Sequence, residues 1–465
     1  MMRLTVAAGA VLILAGCASF SPDGGMGQVA DLTKERTGQS VALQRTEEDA
    51  NATKSRISDI LKQPLSADTA VELALLNNRG LQANLNQLGI AESNLVQAGR
   101  LANPLLSFGR MSGSGVVEID RAVMFNVLSL LTMPKATEVQ QRNFEQAQFQ
   151  AAYEAVGVAS EARRAYFGAV AAQELVRYYS RVKEAADASN ELARRMVLAG
   201  NFNKLAQMRE QAFYADATAS LARAQQQALA ERERLTRLLG LSGDQLNFKL
   251  PDRLPDLPKA PTQPLDAERT ALEKRLDVMM AKRATASTAS AYGLTKATRV
   301  INVLEVGYTN KSENGSPRAN GFEIELELPL FDFGSVRTTR AEASYMQAVH
   351  RTAEIAVNAQ SEVRESYGAY RTAFDLAKHY RDEVVPLRKR ISEENLLRYN
   401  GMLISVFELL ADSREQVRGV ADYVQALRDF WIAETNLQSA LTGRSPGASS
   451  LGAAPEAASD AAAGH

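Results

Sequence analysis

The chain has 465 residues, 53 Lys+Arg against 54 Asp+Glu, a net charge of −1, one cysteine and three histidines. That length can bury a large core, but the balanced charge offers no concentrated basic surface for nucleic acid, and one cysteine closes no internal disulfide and builds no thiolate metal cluster. Aromatic residues are only 6% of the chain, a composition of extended helical proteins more than of compact enzymes.

Residues 1–16 read as a signal peptide: Arg3 is followed by an apolar run from Leu4 to Ala15, too short to span a bilayer as a helix. Leu14-Ala15-Gly16-Cys17 resembles the bacterial lipobox. The resemblance implies cleavage before Cys17 and acylation of its thiol and new amino group. Ala18, where inner-membrane retention would place Asp, implies the outer membrane. Residues 17–64 are then expected to be a lipid-anchored lead-in, polar, weakly patterned and extended.

Residues 65–250 form a first unit. A helix is predicted over 67–101, broken by Asn103-Pro104. A strand over 105–110, a Gly/Ser turn over 111–115 and a strand over 116–128 follow. A helical stretch of about 65 residues then runs from Pro134 to Ala199, near 100 Å at the helical rise. It breaks at Gly200 and resumes to Leu239. Residues 251–264 make a linker; with Pro251 at one end and Pro264 at the other, it holds five of the fourteen prolines.

Residues 265–443 repeat the plan: helix 265–298, strand 299–310, a turn with Asn314-Gly315-Ser316-Pro317, strand 320–330, helix 335–399, a break at Gly401, and a helix to 441. The likeness is also literal. Ser160-Glu161-Ala162-Arg163-Arg164-Ala165-Tyr166 precedes Ser361-Glu362-Val363-Arg364-Glu365-Ser366-Tyr367 by 201 residues, and the same offset pairs Tyr179 with Tyr380 and Gly200 with Gly401. One constant offset marks a duplication. In the last helix Val406, Leu410, Ser413, Val417, Val420, Val424, Leu427 and Trp431 step by heptad spacing, so long antiparallel coiled coils are expected. Residues 444–465, rich in Ala, Gly and Ser, read as a disordered tail.

The strands alternate. Phe322-Glu323-Ile324-Glu325-Leu326-Glu327 places apolar side chains on one face and carboxylates on the other. Val117, Ile119, Val123 and Phe125 share a face that Arg121 interrupts, with Glu118, Asp120 and Asn126 opposite. Three of the four predicted strands are long enough to cross a bilayer. Four strands cannot close a barrel, and open edges in lipid are untenable. Strands that span a membrane therefore require several chains sharing one barrel.

Signal, duplication, paired hairpins and long helices together resemble the TolC family of outer-membrane efflux proteins, over roughly residues 60–443. Leu328-Pro329-Leu330-Phe331-Asp332-Phe333-Gly334 resembles the family's strand-to-helix step, and Arg398-Tyr399-Asn400-Gly401 with Leu409-Leu410 resembles its helical turn. The resemblance implies a mainly α fold with a small membrane β-section: a homotrimer with a twelve-stranded barrel shared by three chains and a long periplasmic α-barrel closing at its tip. It also implies an outer-membrane channel of a tripartite efflux system, with a periplasmic adaptor and an inner-membrane pump, commonly of the resistance-nodulation-division type, as partners. Two departures stand out. Val127-Leu128-Ser129-Leu130-Leu131-Thr132-Met133-Pro134 replaces the strand-to-helix step in the first unit, and the acidic residues after Gly401 are displaced from the family's Leu-Leu-Asp.

No catalytic, cofactor or metal constellation is evident; His350 and His379 fall on predicted helices and His465 ends the chain. Candidate tip or gate residues are Gly200, Gly401, Arg398, Tyr399, Glu408 and Asp412, with Arg194 and Arg195 near enough for ion pairs between helices. Candidate lumen carboxylates are Glu323, Glu325 and Glu327, a cation-attracting set. Pro386, inside the second long helix, is expected to kink it. A lipid-anchored periplasmic coiled-coil scaffold without a pore is the competing reading; it leaves the two alternating hairpins without a purpose.

Overall fold

The computed structural model describes residues 19–445 except 301–302, 328–330 and 405, and leaves the side chains of 406–408 and 410–414 outside the description. Cys17, the signal peptide and residues 446–465 lie outside the described residues. The helices in chain order are α1 (Met26–Thr37), α2 (Glu47–Leu61), α3 (Ala67–Asn77), α4 (Arg79–Leu85) and α5 (Gln87–Ala98). Strands β1 (Leu105–Gly113) and β2 (Val116–Asn126) precede α6 (Val127–Leu198) and α7 (Lys204–Leu239). The second half runs α8 (Ala267–Lys274), α9 (Leu276–Ala297), β3 (Leu304–Glu313), β4 (Ala319–Leu326), α10 (Ser335–His379), a π-helical turn over Tyr380–Val384, α11 (Val385–Asn400) and α12 (Val406–Thr442). No described helix is long and apolar enough to cross a membrane.

The chain divides into two compact units, the first comprising 1–29, 84–151 and 277–357, the second comprising 30–83, 152–276 and 358–465. The first unit holds an antiparallel four-stranded sheet of order β1-β2-β3-β4. Ser114 and Gly115, at φ 53° and 80°, form the two-residue turn between β1 and β2, the backbone hand that suits a twisted hairpin. In the same unit Ser287 donates to Asn143 at 2.5 Å and Arg283 meets Glu145 at 3.1 Å, tying α9 to the start of α6.

The second unit carries an aromatic core. Phe430 is fully buried and packs against Tyr370, Phe374 and Trp431 with ring centroids 5.5, 5.8 and 5.1 Å away. Around it lie Tyr166, Val170, Leu235, Leu239, Val363 and Leu437. The proline-rich linker is drawn into this core: Leu254 and Leu257 are buried, Trp431 Nε1 donates to the Pro255 carbonyl at 3.0 Å, and Arg381 donates to the Leu257 carbonyl at 3.3 Å. Val182, Ala186 and Ala217 pack with Val417 farther along, where α6, α7 and α12 meet.

Several expectations need correction. The extended lead-in is in large part helical: α2 starts on a capping box, Thr46 accepting from Asp49 N and Asp49 capping Thr46 N, which satisfies two orphan amides reciprocally. The single helix over 67–101 is three shorter ones, and the helix over 265–298 is α8 and α9, parted at Arg275. Arg275 is 1% exposed and pairs with Glu362 at 2.6 Å. The long helix starts at Val127, not Pro134, because the Asn126 side chain accepts from Ser129 N at 2.7 Å and caps it at once. The tail's first residue is no part of a floppy segment: Arg444 is 3% exposed, with Glu154 and Glu161 within 4 Å and its guanidinium over Tyr153.

Candidate functional site

Cross-strand partners share a face of the sheet, so the strand pairing assigns both faces. One carries Leu106, Val123, Tyr308 and Phe322 in one row and Phe125, Val306 and Ile324 in the next. Leu304 and Leu326 complete its foot. Arg121 interrupts this face as expected, but not alone: it donates to Asn310 at 2.9 Å, and Asn310 donates to Asn320 at 2.6 Å, a polar rung across three strands. The opposite face carries Glu323 and Glu325 on β4. Glu327 follows them, its N–H reaching the Val303 carbonyl at 3.4 Å and continuing the ladder.

The structure adds Glu305, directly opposite Glu325. Like charges in cross-strand register repel, so this foot of the sheet concentrates negative charge. Alternation in Leu304-Glu305-Val306 carried the signal for Glu305. Toward the far end of the same face Lys311 sits 3.8 Å from both Glu118 and Asp120 and partly offsets them. Strands β1 and β4 each pair on one side only among the described residues.

The two strand-to-helix joints differ, as their sequences imply. Asn126 passes directly into α6. In the second half Asp332 accepts from Gly334 N at 2.8 Å, and Gly334, at φ 76°, lies where a Cβ would strike the Arg299 carbonyl.

The helical turns, both in the second unit, are more alike in geometry than in sequence. Gly200 is left-handed at φ 74°, with Asn201 N bonded to the Met196 carbonyl, the closing bond of a Schellman cap. In the other turn Gly401 has an ordinary φ of −81°. Met402, at φ 60°, takes the left-handed position, and Leu403 N bonds to the Arg398 carbonyl. The structural partner of Gly200 is therefore Met402, offset 202, not Gly401, offset 201.

The extra residue has a visible home. Tyr179 and Tyr380 still match at 201, and the π-helical turn begins at Tyr380; a π-turn holds one more residue than an α-turn. Pro386 falls in the first turn after it, where a missing N–H costs least. The π-turn, rather than Pro386 alone, interrupts the helix.

Among the described residues the ion pairs of Arg194, Arg195 and Arg398 lie within their own helices. Arg194 and Arg195 both bind Glu191, at 2.9 and 2.8 Å, and hold its carboxyl down to about 2; Arg398 meets Glu394 at 3.5 Å. Helical spacing brings such partners together before a second helix can compete. Links between helices come instead from Ser189 donating to Glu210 at 2.8 Å and Arg388 meeting Glu415 at 3.2 Å. The side chains of Glu408 and Asp412 lie outside the described residues. Tyr399 is half exposed, and Leu198, Leu205, Leu397, Met402 and Leu403 are exposed beside it on the two turns.

No family model matches the sequence, and no curated protein matches it. Solved structures do. The CmeC outer-membrane channel of Campylobacter jejuni superposes with a TM-score of 0.71 at 14% identity, over 82% of this chain and 87% of that one. The outer-membrane channel OprN gives 0.69 at 19% identity, over 81% and 90%. The Neisseria gonorrhoeae MtrE channel, in its open state, gives 0.67 at 15% identity, over 81% and 88%. With its long helices and small antiparallel sheet, the chain has the TolC-like fold of outer-membrane channels.

Proposed function

We propose that the protein is the outer-membrane channel of a tripartite efflux system, passively conducting cargo delivered by a periplasmic adaptor and an inner-membrane pump. The observation that carries this reading is the sheet. A four-stranded sheet with one apolar face, one acidic face and two unpaired edges is stable in lipid only when other copies close it. Three copies make the twelve-stranded barrel of a homotrimer, the apolar face toward lipid and Glu305, Glu323, Glu325 and Glu327 toward water. No step of this function is enzymatic. Cys17, acylated after removal of residues 1–16, anchors the chain to the outer membrane from the periplasmic side.

The helical part extends into the periplasm in this reading, and the turns at Gly200 and Gly401–Met402 form the tip, closed until the adaptor engages the exposed Leu198, Leu397 and Leu403. Glu408, Asp412, Arg398 and Tyr399 line that gate. A resistance-nodulation-division pump fits the resemblance best. The one-sided π-turn makes the α11–α12 hairpin the half that moves. Single-channel recording of the full-length protein in planar bilayers tests the reading: discrete conductance steps support it, and a protein that binds the membrane without conducting supports the scaffold.

A further inference from the structure

The beginning of the described chain is held firmly at one place in the first unit. Ser21 donates through both its N–H and its hydroxyl to Glu92, a carboxylate buried on α5. Four residues on, the Gly25 carbonyl accepts from Gln148 of α6 at 3.1 Å, and Asp23 accepts from Gly25 N and Gly27 N. Between these ties and the signal peptide stands Phe20, which lines a cleft of about 630 Å³ together with Val96, Ala98, Leu101, Met133 and Ala136. A second hollow of about 320 Å³ shares Leu101 and Met133 and continues to Pro104, Phe125 and Leu130. The cleft thus opens where the chain enters β1 and leaves β2, and its apolar lining runs into the lipid-facing row of Phe125.

We infer that this cleft seats an acyl chain carried on Cys17, so that the anchor packs against its own protein. The inference rests on the reading of Cys17 as acylated. Phe20 lies three residue steps after Cys17, a reach of at most about 11 Å, and is itself a wall of the cleft. The linings match the two parts of such a lipid. Val96, Leu101 and Met133 suit a hydrocarbon chain, while Arg100, Asn103 and Ser129, which line both hollows, suit the ester and amide groups at its head. The occupant is part of this chain, not a second copy, because the ties at Ser21 and Gly25 deliver the N-terminus to the cleft within one protomer.

The test uses the full-length protein made in cells fed a diazirine-bearing fatty acid. Mass spectrometry of the intact N-terminal peptide first establishes whether Cys17 is acylated. After irradiation, cross-links from that peptide to residues 96–101 and 129–136 are expected. Their loss in the Met133→Glu, Ala136→Glu double variant, with Cys17 acylation retained, completes the expected result. An acylated Cys17 whose label reaches only phospholipid, or cross-links joining this cleft to another region of a second copy, would overturn the inference and leave acylation standing. An unacylated Cys17 would overturn both.

Discussion

If the proposed channel is right, charge at the foot of the sheet gives it a measurable cation preference. Glu305, Glu323, Glu325 and Glu327 share one face, and Lys311 lies toward its far end, so a trimer would present twelve carboxylates around one lumen. At about 10 Å a carboxylate attracts a monovalent cation by ~0.4 kcal/mol in water. Screening at physiological salt, with a Debye length near 8 Å, leaves roughly 0.12 kcal/mol of that. Twelve charges then sum to ~1.4 kcal/mol, about a tenfold enrichment of cations and an equal depletion of anions. Glu325→Gln removes three charges, or roughly 0.35 kcal/mol, and lowers the cation-to-anion ratio about threefold. Glu305→Gln, at the directly opposed position, has the same effect. Reversal potentials across a planar bilayer under a KCl gradient read this ratio. A wild-type channel that prefers chloride, or a quadruple glutamine variant with unchanged reversal potential, would refute the reasoning.

Four further outcomes are expected. Deleting Asp382 converts the π-turn to α-helix and leaves both flanking segments in register, so thermal unfolding matches or exceeds wild type; deleting Asp375, about two turns earlier, misaligns the helix against Phe430 and lowers it, and equal damage from both deletions would contradict the one-residue insertion. Gly401→Ala is tolerated at φ −81°, whereas Gly200→Ala costs roughly 1–2 kcal/mol at its left-handed φ; denaturant titration of both variants distinguishes them. Phe430→Ala empties the centre of the aromatic cluster and costs about 3–5 kcal/mol by the same titration. Burial pushes the Glu434 carboxyl above its ordinary 4.5, opposed by Arg163; the folded state then holds this proton more tightly than the unfolded chain, so its contribution is fully present below pH 4.5 and falls as pH rises through the raised value. Glu434→Gln is accordingly more stable than wild type at neutral pH and loses that advantage in acid, which melting curves across pH would show.

How much was legible in the sequence depended on period and punctuation. Alternation over 116–126 and 322–326 located the strands and assigned their faces, because a period of two leaves no other arrangement. The duplication located the second hairpin from the first. Its constant offset also hid something: Gly401 matched Gly200 as a letter, while the π-turn had moved the geometry to Met402, whose left-handed φ reveals the shift. The lead-in helices were missed for want of a strong apolar stripe, although Thr46-Glu47-Glu48-Asp49 carried the capping signal of the second of them. The break at Arg275 and the burial of Arg444 were not legible at all. A charged residue reads as exposed unless its partner is known, and Glu362, Glu154 and Glu161 lie far away in the chain. The same holds for the turn pairs, since spacing alone could not say whether Arg194 would choose Glu191 on its own helix or an acid on the next.

Electron cryomicroscopy of the full-length protein extracted in detergent tests the central claim most directly. Three-fold particles whose density shows β1 of one chain hydrogen-bonded to β4 of the next, closing twelve strands around a hollow lumen lined by Glu323 and Glu325, are the predicted result. A monomer, or an assembly in which the β1 and β4 edges stay open, would contradict it.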